Sequence, residues 1–344
     1  MDKLRLILLP FSWIYGSILA IRNYLYDKGI IKSETISIPS ICVGNLSMGG
    51  TGKTPHVDFI TSYFLSKSVK PAILSRGYGR KTKGIIEVRE NSISSEGGDE
   101  PLFYKTKFKD NAVVYVAENR VLGANELFKK HPETEVLILD DAFQHRRFRA
   151  KVNILITDFS CLFSNDFVVP AGNLREFRSG KKRADIIVVS KCPADLSQEK
   201  KVEIRNSLQF KNKNIFFSKI QYNDLIPFKI GVDSTDKKAI VVTGIGNPSP
   251  LISELNRDFT IKHVKYPDHH PFSAQDINEI HEKFDIFAPD GDGVIITTEK
   301  DFMRLQEMKE VKESNRKWFY KSISIVIDEQ EKFNLLLEKY VNEI

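Results

Sequence analysis

The chain has 344 residues, 41% of them hydrophobic and 28% charged, with 19 Gly and 14 Pro. At roughly 100–200 residues per domain this length points to two domains, and the balanced composition excludes collagen-like, low-complexity and wholly disordered classes. The net charge of +6 is too thin for a histone-like nucleic-acid binder. Three scattered cysteines, Cys42, Cys161 and Cys192, make neither a disulfide framework nor a Cys-x-x-Cys motif, so a reducing cytoplasm is expected, with all three as small buried apolar groups.

Residues 4–21 are the most apolar stretch, flanked by Lys3, Arg5, Arg22 and Lys28. Arg5, Pro10, Ser12, Gly16 and Ser17 interrupt a run that is already shorter than the roughly 20 clean apolar residues of a transmembrane helix, and no small-x-small cleavage site follows. Two readings stay open for this helix: it lies in a membrane interface, or it docks on the protein's own core. From residue 36 onward, short β-branched runs alternate with helical stretches, at 37–43, 72–74, 112–116, 136–139, 153–157 and 185–189. Continuous apolar runs bounded by turn residues predict strands buried on both faces of a parallel sheet. A Lys- and Asn-rich stretch at 198–214 precedes a second series at 239–243, 293–297 and 323–327. The fold class is therefore α/β, with a domain boundary expected between about 200 and 235.

The strongest signal follows the first strand: Ser47-Met48-Gly49-Gly50-Thr51-Gly52-Lys53-Thr54. In a strand–loop–helix setting, glycines let the backbone aim N–H groups at phosphate oxygens, the lysine reaches the β- and γ-phosphates and the threonine hydroxyl holds Mg²⁺. Ser47 occupies the position where the eight-residue P-loop template has its first glycine. Residues 136–139 end in Asp140 and Asp141 at a strand tip, the place where a P-loop enzyme completes its metal site; sequence alone does not choose between the two carboxylates. Met48 stands where partition-type ATPases carry a signature lysine, and no Asn-Lys-x-Asp element is present to read guanine.

The loop Gly44-Asn45-Leu46-Ser47-Met48-Gly49-Gly50-Thr51-Gly52-Lys53-Thr54-Pro55 closely resembles that of the tetraacyldisaccharide 4′-kinases, the lipid A 4′-kinases. Six further blocks agree in order: Ser75-Arg76-Gly77-Tyr78-Gly79-Arg80, Gly98-Asp99-Glu100-Pro101, Asp140-Asp141-Ala142-Phe143-Gln144-His145, Gly172-Asn173-Leu174-Arg175-Glu176, Pro267-Asp268-His269-His270 and Thr297-Thr298-Glu299-Lys300-Asp301. Ala142 departs from the glycine frequent there. The resemblance implies a membrane-associating helix over 1–33, a P-loop kinase domain over 34–215 and a C-terminal α/β domain over 216–344 that closes over the site. It also implies transfer of the γ-phosphate of ATP to the 4′-hydroxyl of a lipid-anchored disaccharide 1-phosphate, at the cytoplasmic face of the inner membrane of a Gram-negative cell. By the same resemblance Asp99 is the base, His269 its partner and Lys53 the catalytic lysine, with residues 47–54 on ATP and Thr54, Asp140 and Asp141 at the metal. Arg76, Arg80, Glu100, Asn173 and Arg175 are expected at the substrate. For residues 298–301 the resemblance supplies a match and no mechanism.

The competing class is a membrane-associated P-loop switch protein, in which His269 has no chemical role. Charge distribution favours a lipid partner and no nucleic acid. Residues 145–183 hold nine Lys or Arg against three Asp or Glu, and residues 1–33 hold five against two. The rest of the chain is net acidic, so the excess sits where an anionic lipid and ATP would meet.

Overall fold

The apolar runs become strands of one sheet with helices on both faces. In the computed structural model, which describes residues 3–210, 214–229, 231–232 and 235–342, a 3-10 turn leads into α1 (Leu9–Asp27), then β1 (Ser40–Asn45) and α2 (Lys53–Ser66). There follow β2 (Pro71–Ser75), β3 (Ile86–Glu87), α3 (Ser94–Gly97), α4 (Asp99–Phe108), β4 (Val113–Val116), α5 (Arg120–Lys130) and β5 (Val136–Asp140). Next come β6 (Val152–Asp158), β7 (Ile186–Ser190), α6 (Gln198–Leu208), β8 (Ile215–Pro227), β9 (Lys238–Thr243) and α7 (Ser249–Leu255). The last elements are β10 (Thr260–Lys265), α8 (Ala274–Phe287), β11 (Gly293–Thr298), α9 (Glu299–Leu305), α10 (Lys309–Lys312), β12 (Trp318–Ile327) and α11 (Gln330–Asn342).

The strand order is β10-β9-β11-β12-β8-β7-β6-β1-β5-β2-β4-β3. Pairing is parallel throughout except between β8 and β12 and between β3 and β4. β1, β2, β5 and β7 are buried at every position, as strands covered on both faces must be. On one face Ile41 and Val43 pack with Val57, Ile60 and Phe64 of α2, with α4, and with Phe333 and Leu337 of α11. On the other, Cys42, Leu137 and Leu139 meet α5 and α6. Cys42 and Cys192 are buried as expected, whereas Cys161 is exposed because it lies in the turn after β6.

The stretch around the expected boundary holds regular structure. Ser197 caps α6, which buries Ile204 and Leu208 against the sheet; residues 211–213 of that stretch lie outside the described residues. β8 then runs parallel to β7 at its start and antiparallel to β12 along its length, carrying the sheet from the first half to the second. Only its first four residues are buried, so most of it lacks the continuous apolar signature. Edge strand β10 also lacks it, being largely exposed.

His56 ties the halves together beside the glycine-rich loop. Its Nδ1–H donates to the Gly52 carbonyl at 2.7 Å and its Nε2 accepts from Ser218 Oγ of β8 at 2.9 Å. Burial pushes this imidazole down from 6.5 to about 4. The folded state therefore resists protonation that the unfolded state accepts, so stability is complete above the unfolded value and falls as pH drops through the interval. Urea unfolding across that interval should show wild type losing up to about 3 kcal/mol more than His56→Gln; equal pH slopes for the two proteins would contradict the neutral, double-bonded histidine.

Candidate active site

β1 brings the chain to the sheet's C-terminal edge, the ligand side of a parallel α/β sheet. Gly44 lies so close to the turn after β5 that a Cβ there would stand 2.5 Å from Phe143 Cβ. The loop 47–52 enters α2 through Gly52, whose φ of +86° suits glycine. Its backbone is fastened from behind. Asn45 Nδ2 donates to Thr51 Oγ1 at 2.8 Å, Ser190 Oγ donates to the Thr51 carbonyl at 2.7 Å, and the Met48 N–H donates to the Asn173 carbonyl at 2.7 Å. Ser47 is buried in a bridge with Leu174, while Met48, Gly49 and Gly50 face solvent. Lys53 and Thr54 open the 14-residue α2, whose positive dipole end therefore points into the loop.

Asp140 ends β5 next to β1, and Asp141 turns out of the strand with φ of +47°. Lys53 and Arg175 both turn to Asp141, the lysine at 3.6 Å and the arginine at 3.0 and 3.1 Å from its two oxygens. Asp140 is fully enclosed. Burial, then the charges of Asp141 and Glu100, push its carboxyl up to about 7, against the opposing pull of Lys53 and Tyr104. The fully buried Tyr104 of α4 faces Thr54 as well, so α4 lies along the loop and places Glu100 and Tyr104 at the acidic pair.

Asp99 is the first residue of α4. Ser94 Oγ donates to its Oδ1, and its Oδ2 faces both His269 Nδ1 and Arg304 Nε at 3.6 Å. Burial pushes this carboxyl up, but the His269 imidazole, the Ser94 hydroxyl and the Arg304 guanidinium together carry it below the usual carboxylate range. His269 rides on the loop after β10; its N–H donates to the Gly244 carbonyl at 3.1 Å and its ring meets Tyr78 edge-on.

The segment 298–304 secures this arrangement. Thr298 caps α9 by accepting the Asp301 N–H at 3.0 Å. Asp301, completely buried, accepts the Gly244 N–H and the Thr298 hydroxyl at 2.8 Å each and pairs with Arg304. Arg304 in turn donates to the His270 carbonyl at 2.9 Å. Since α9 packs against α4, one buried aspartate holds both the His269 loop and the arginine against Asp99.

The expected substrate residues separate on inspection. Arg76 is exposed at the end of β2, and with Arg22, Arg120 and Arg147 it bears on His145, which burial and then these charges push down to about 4. The Arg80 side chain is 3% exposed and reaches Glu118 and the Gly84 carbonyl, closing its own loop. Asn173 is likewise committed, donating to Asp166 and accepting from Arg5. Glu100 stands half-buried beside Asp140, and a single Arg175 nitrogen, Nη1, donates to both oxygens of Asp141. Sequence reasoning passed over Arg120, Glu176 and Arg304. Glu176 accepts from Arg183, Gln144 and Asn23, and Arg304 was signalled only by its three-residue helical spacing from Asp301.

Residues 4–342 match the family of tetraacyldisaccharide-1-P 4′-kinases (LpxK). The tetraacyldisaccharide 4′-kinase of Flavobacterium johnsoniae is 40% identical over 348 residues, spanning 100% of this chain and 99% of that protein. That of Bacteroides thetaiotaomicron is 38% identical over 357 residues, spanning 98% and 93%. A crystal structure of LpxK from Aquifex aeolicus in complex with ATP shares the fold with a TM-score of 0.78 at 30% identity, covering 98% of this chain and 100% of that one. The nucleotide loop, the acidic strand tip and a match that runs nearly end to end agree: the chain belongs to the tetraacyldisaccharide-1-P 4′-kinase family.

Proposed function

We infer that this chain transfers the γ-phosphate of ATP to the 4′-hydroxyl of a tetraacyldisaccharide 1-phosphate. The observation that carries the mechanism is Asp99, a largely buried carboxylate held ionised at the head of the helix that also lines the nucleotide loop. A sugar hydroxyl is a weak nucleophile and needs a group to orient it and take its proton. In this reading Asp99 takes that proton as the sugar oxygen bonds to the γ-phosphorus and the bond to the β-bridging oxygen breaks, releasing ADP. Loop 47–52 and α2 hold the phosphates, with Lys53 meeting the charge that develops on them. A nucleotide switch has no use for such a base, and family membership gives the switch reading no support.

Thr54 and Asp140 are the residues that fit Mg²⁺. Asp141 is engaged by two cations, whereas Asp140 is enclosed with excess negative charge around it. Among the described residues no three His, Cys, Asp or Glu side chains gather into a metal cage, consistent with an ion shared between one or two protein groups and substrate phosphates. Bound there, Mg²⁺ would neutralise phosphate charge. Arg76, beside the cationic rim around His145, is the candidate for the lipid phosphate.

The N-terminal helix supports a membrane site of action. Leu4–Asp27 is long and apolar enough to cross a bilayer, yet both its ends are tied to the same body. Arg5 donates to the Pro170 and Gly172 carbonyls, Ser12 Oγ accepts from the Ala171 N–H, and Asn23 donates to Glu176. Gly16 rests on the Phe177 ring. The helix therefore docks through small and polar residues and turns Phe11, Ile14, Ile18 and Ile21 outward, the reverse of a helix packed on a soluble core. Lying along the surface, it suits an interfacial anchor at the cytoplasmic face, where ATP is available.

Incubation with labelled ATP, Mg²⁺ and acylated disaccharide 1-phosphate in detergent should yield labelled lipid; ATP hydrolysis without labelled lipid would contradict the assignment. Asp99→Asn should lower transfer by at least about 10²-fold and leave ATP affinity unchanged in a binding titration, and full activity would remove Asp99 from the mechanism. Replacing Phe11, Ile14 and Ile18 with serine should abolish co-sedimentation with anionic vesicles while activity on detergent-dispersed lipid persists. Unchanged sedimentation would return the helix to a purely structural role.

A further inference from the structure

An imidazole that assists a carboxylate must present the ring nitrogen that carries the proton, and neutral histidine has two tautomers. His269 sits on a loop with its side chain 36% exposed and its Nδ1 3.6 Å from Asp99 Oδ2. Its other nitrogen has a defined neighbour. Lys300 Nζ lies 2.9 Å from His269 Nε2 and 3.3 Å from Asp268 Oδ1. An ammonium group only donates, so the Nε2 it meets is the bare acceptor and the proton of the neutral ring is on Nδ1, facing Asp99.

The lysine's own position is fixed by the fold. It is the second residue of α9, whose start is pinned by the Thr298 cap and by Asp301 buried against Gly244. The same Gly244 accepts the His269 N–H through its carbonyl. One glycine thus sets both the histidine and the helix that bears the lysine, and Asp268, next to His269 in the chain, steadies the ammonium.

We propose that Lys300 is a positioning residue for phosphoryl transfer: paired with Asp268, it selects the Nδ1–H tautomer of His269 and aims that proton at Asp99. This rests on the reading of Asp99 as the base. Asp99 Oδ2 then faces the imidazole N–H, Oδ1 takes the Ser94 hydroxyl, and the carboxylate is held in one orientation toward the acceptor.

The test uses full-length protein labelled with ¹⁵N-histidine, as wild type, Lys300→Met and Lys300→Arg, with His269 signals assigned by their loss in His269→Gln. Long-range ¹H–¹⁵N spectra without substrate should show Nδ1–H in wild type, a shift toward Nε2–H in Lys300→Met, and the wild-type tautomer in Lys300→Arg. Steady-state assays should give Lys300→Met a kcat about 10²-fold lower with KM for ATP and lipid unchanged, and Lys300→Arg most of the lost rate back. An Nε2–H ring in wild type, an Nδ1–H ring that survives in Lys300→Met, or an effect confined to KM, as expected of a lysine that grips a phosphate, would each overturn the proposal. Because the tautomer is read without substrate, a wild-type protein that phosphorylates no lipid would sink the kinase reading separately.

Discussion

A carboxylate taken out of water stays ionised only when the donors around it outweigh the lost hydration, and Asp99 meets that condition with groups from three separate segments. Ser94 comes from the short helix just before it, His269 from the loop after β10, and Arg304 from α9. The histidine and the arginine reach Asp99 only because the second half of the sheet is held against the first. Buried Asp301 anchors the histidine loop and the arginine together, while β8 and His56 join that half to the nucleotide loop. The register of the whole sheet is in this sense the support of one oxygen pair.

The acidic strand tip shows the opposite balance. Asp141 is satisfied by Lys53 and Arg175, and Asp140 beside it is enclosed with Asp141 and Glu100 adding to its burden. Two neighbouring carboxylates thereby meet different surroundings, one compensated by protein cations and one enclosed and suited to a metal ion. Asp99 and Asp140 are carried to opposite sides of the usual carboxylate range, and α4, with Asp99 and Glu100 in its first turn and Tyr104 in the next, connects them.

Features written in local spacing were legible beforehand. The glycine-rich loop, the apolar run ending in Asp140 and Asp141, and the buried parallel strands each follow from short-range pattern. Residues defined by long-range pairing were not. Arg80 and Asn173 share blocks with the site, yet each is drawn into an internal contact, with Glu118 and with Asp166 and Arg5, that no spacing announces. Strands β8 and β10 escaped because half-exposed strands lack the continuous apolar run. The basic excess at 145–183 was visible as charge but not as pairing: Arg146, Arg147, Arg175 and Arg183 each meet an acid, which leaves less free positive surface than the count implies. Two readings of the N-terminal helix stood open in the sequence because composition does not say which face packs; its small residues, rather than its large apolar ones, face the protein.

Donors from the second half of the chain keep the Asp99 carboxyl ionised. Site-resolved ¹³C NMR of labelled aspartate, followed through the carboxylate range in wild type and in His269→Gln, tests it directly. Asp99 should titrate below an ordinary aspartate in wild type and move upward in the variant, because burial then meets less compensation. A wild-type Asp99 that titrates above the ordinary range, or one that does not respond to the loss of His269, would contradict it.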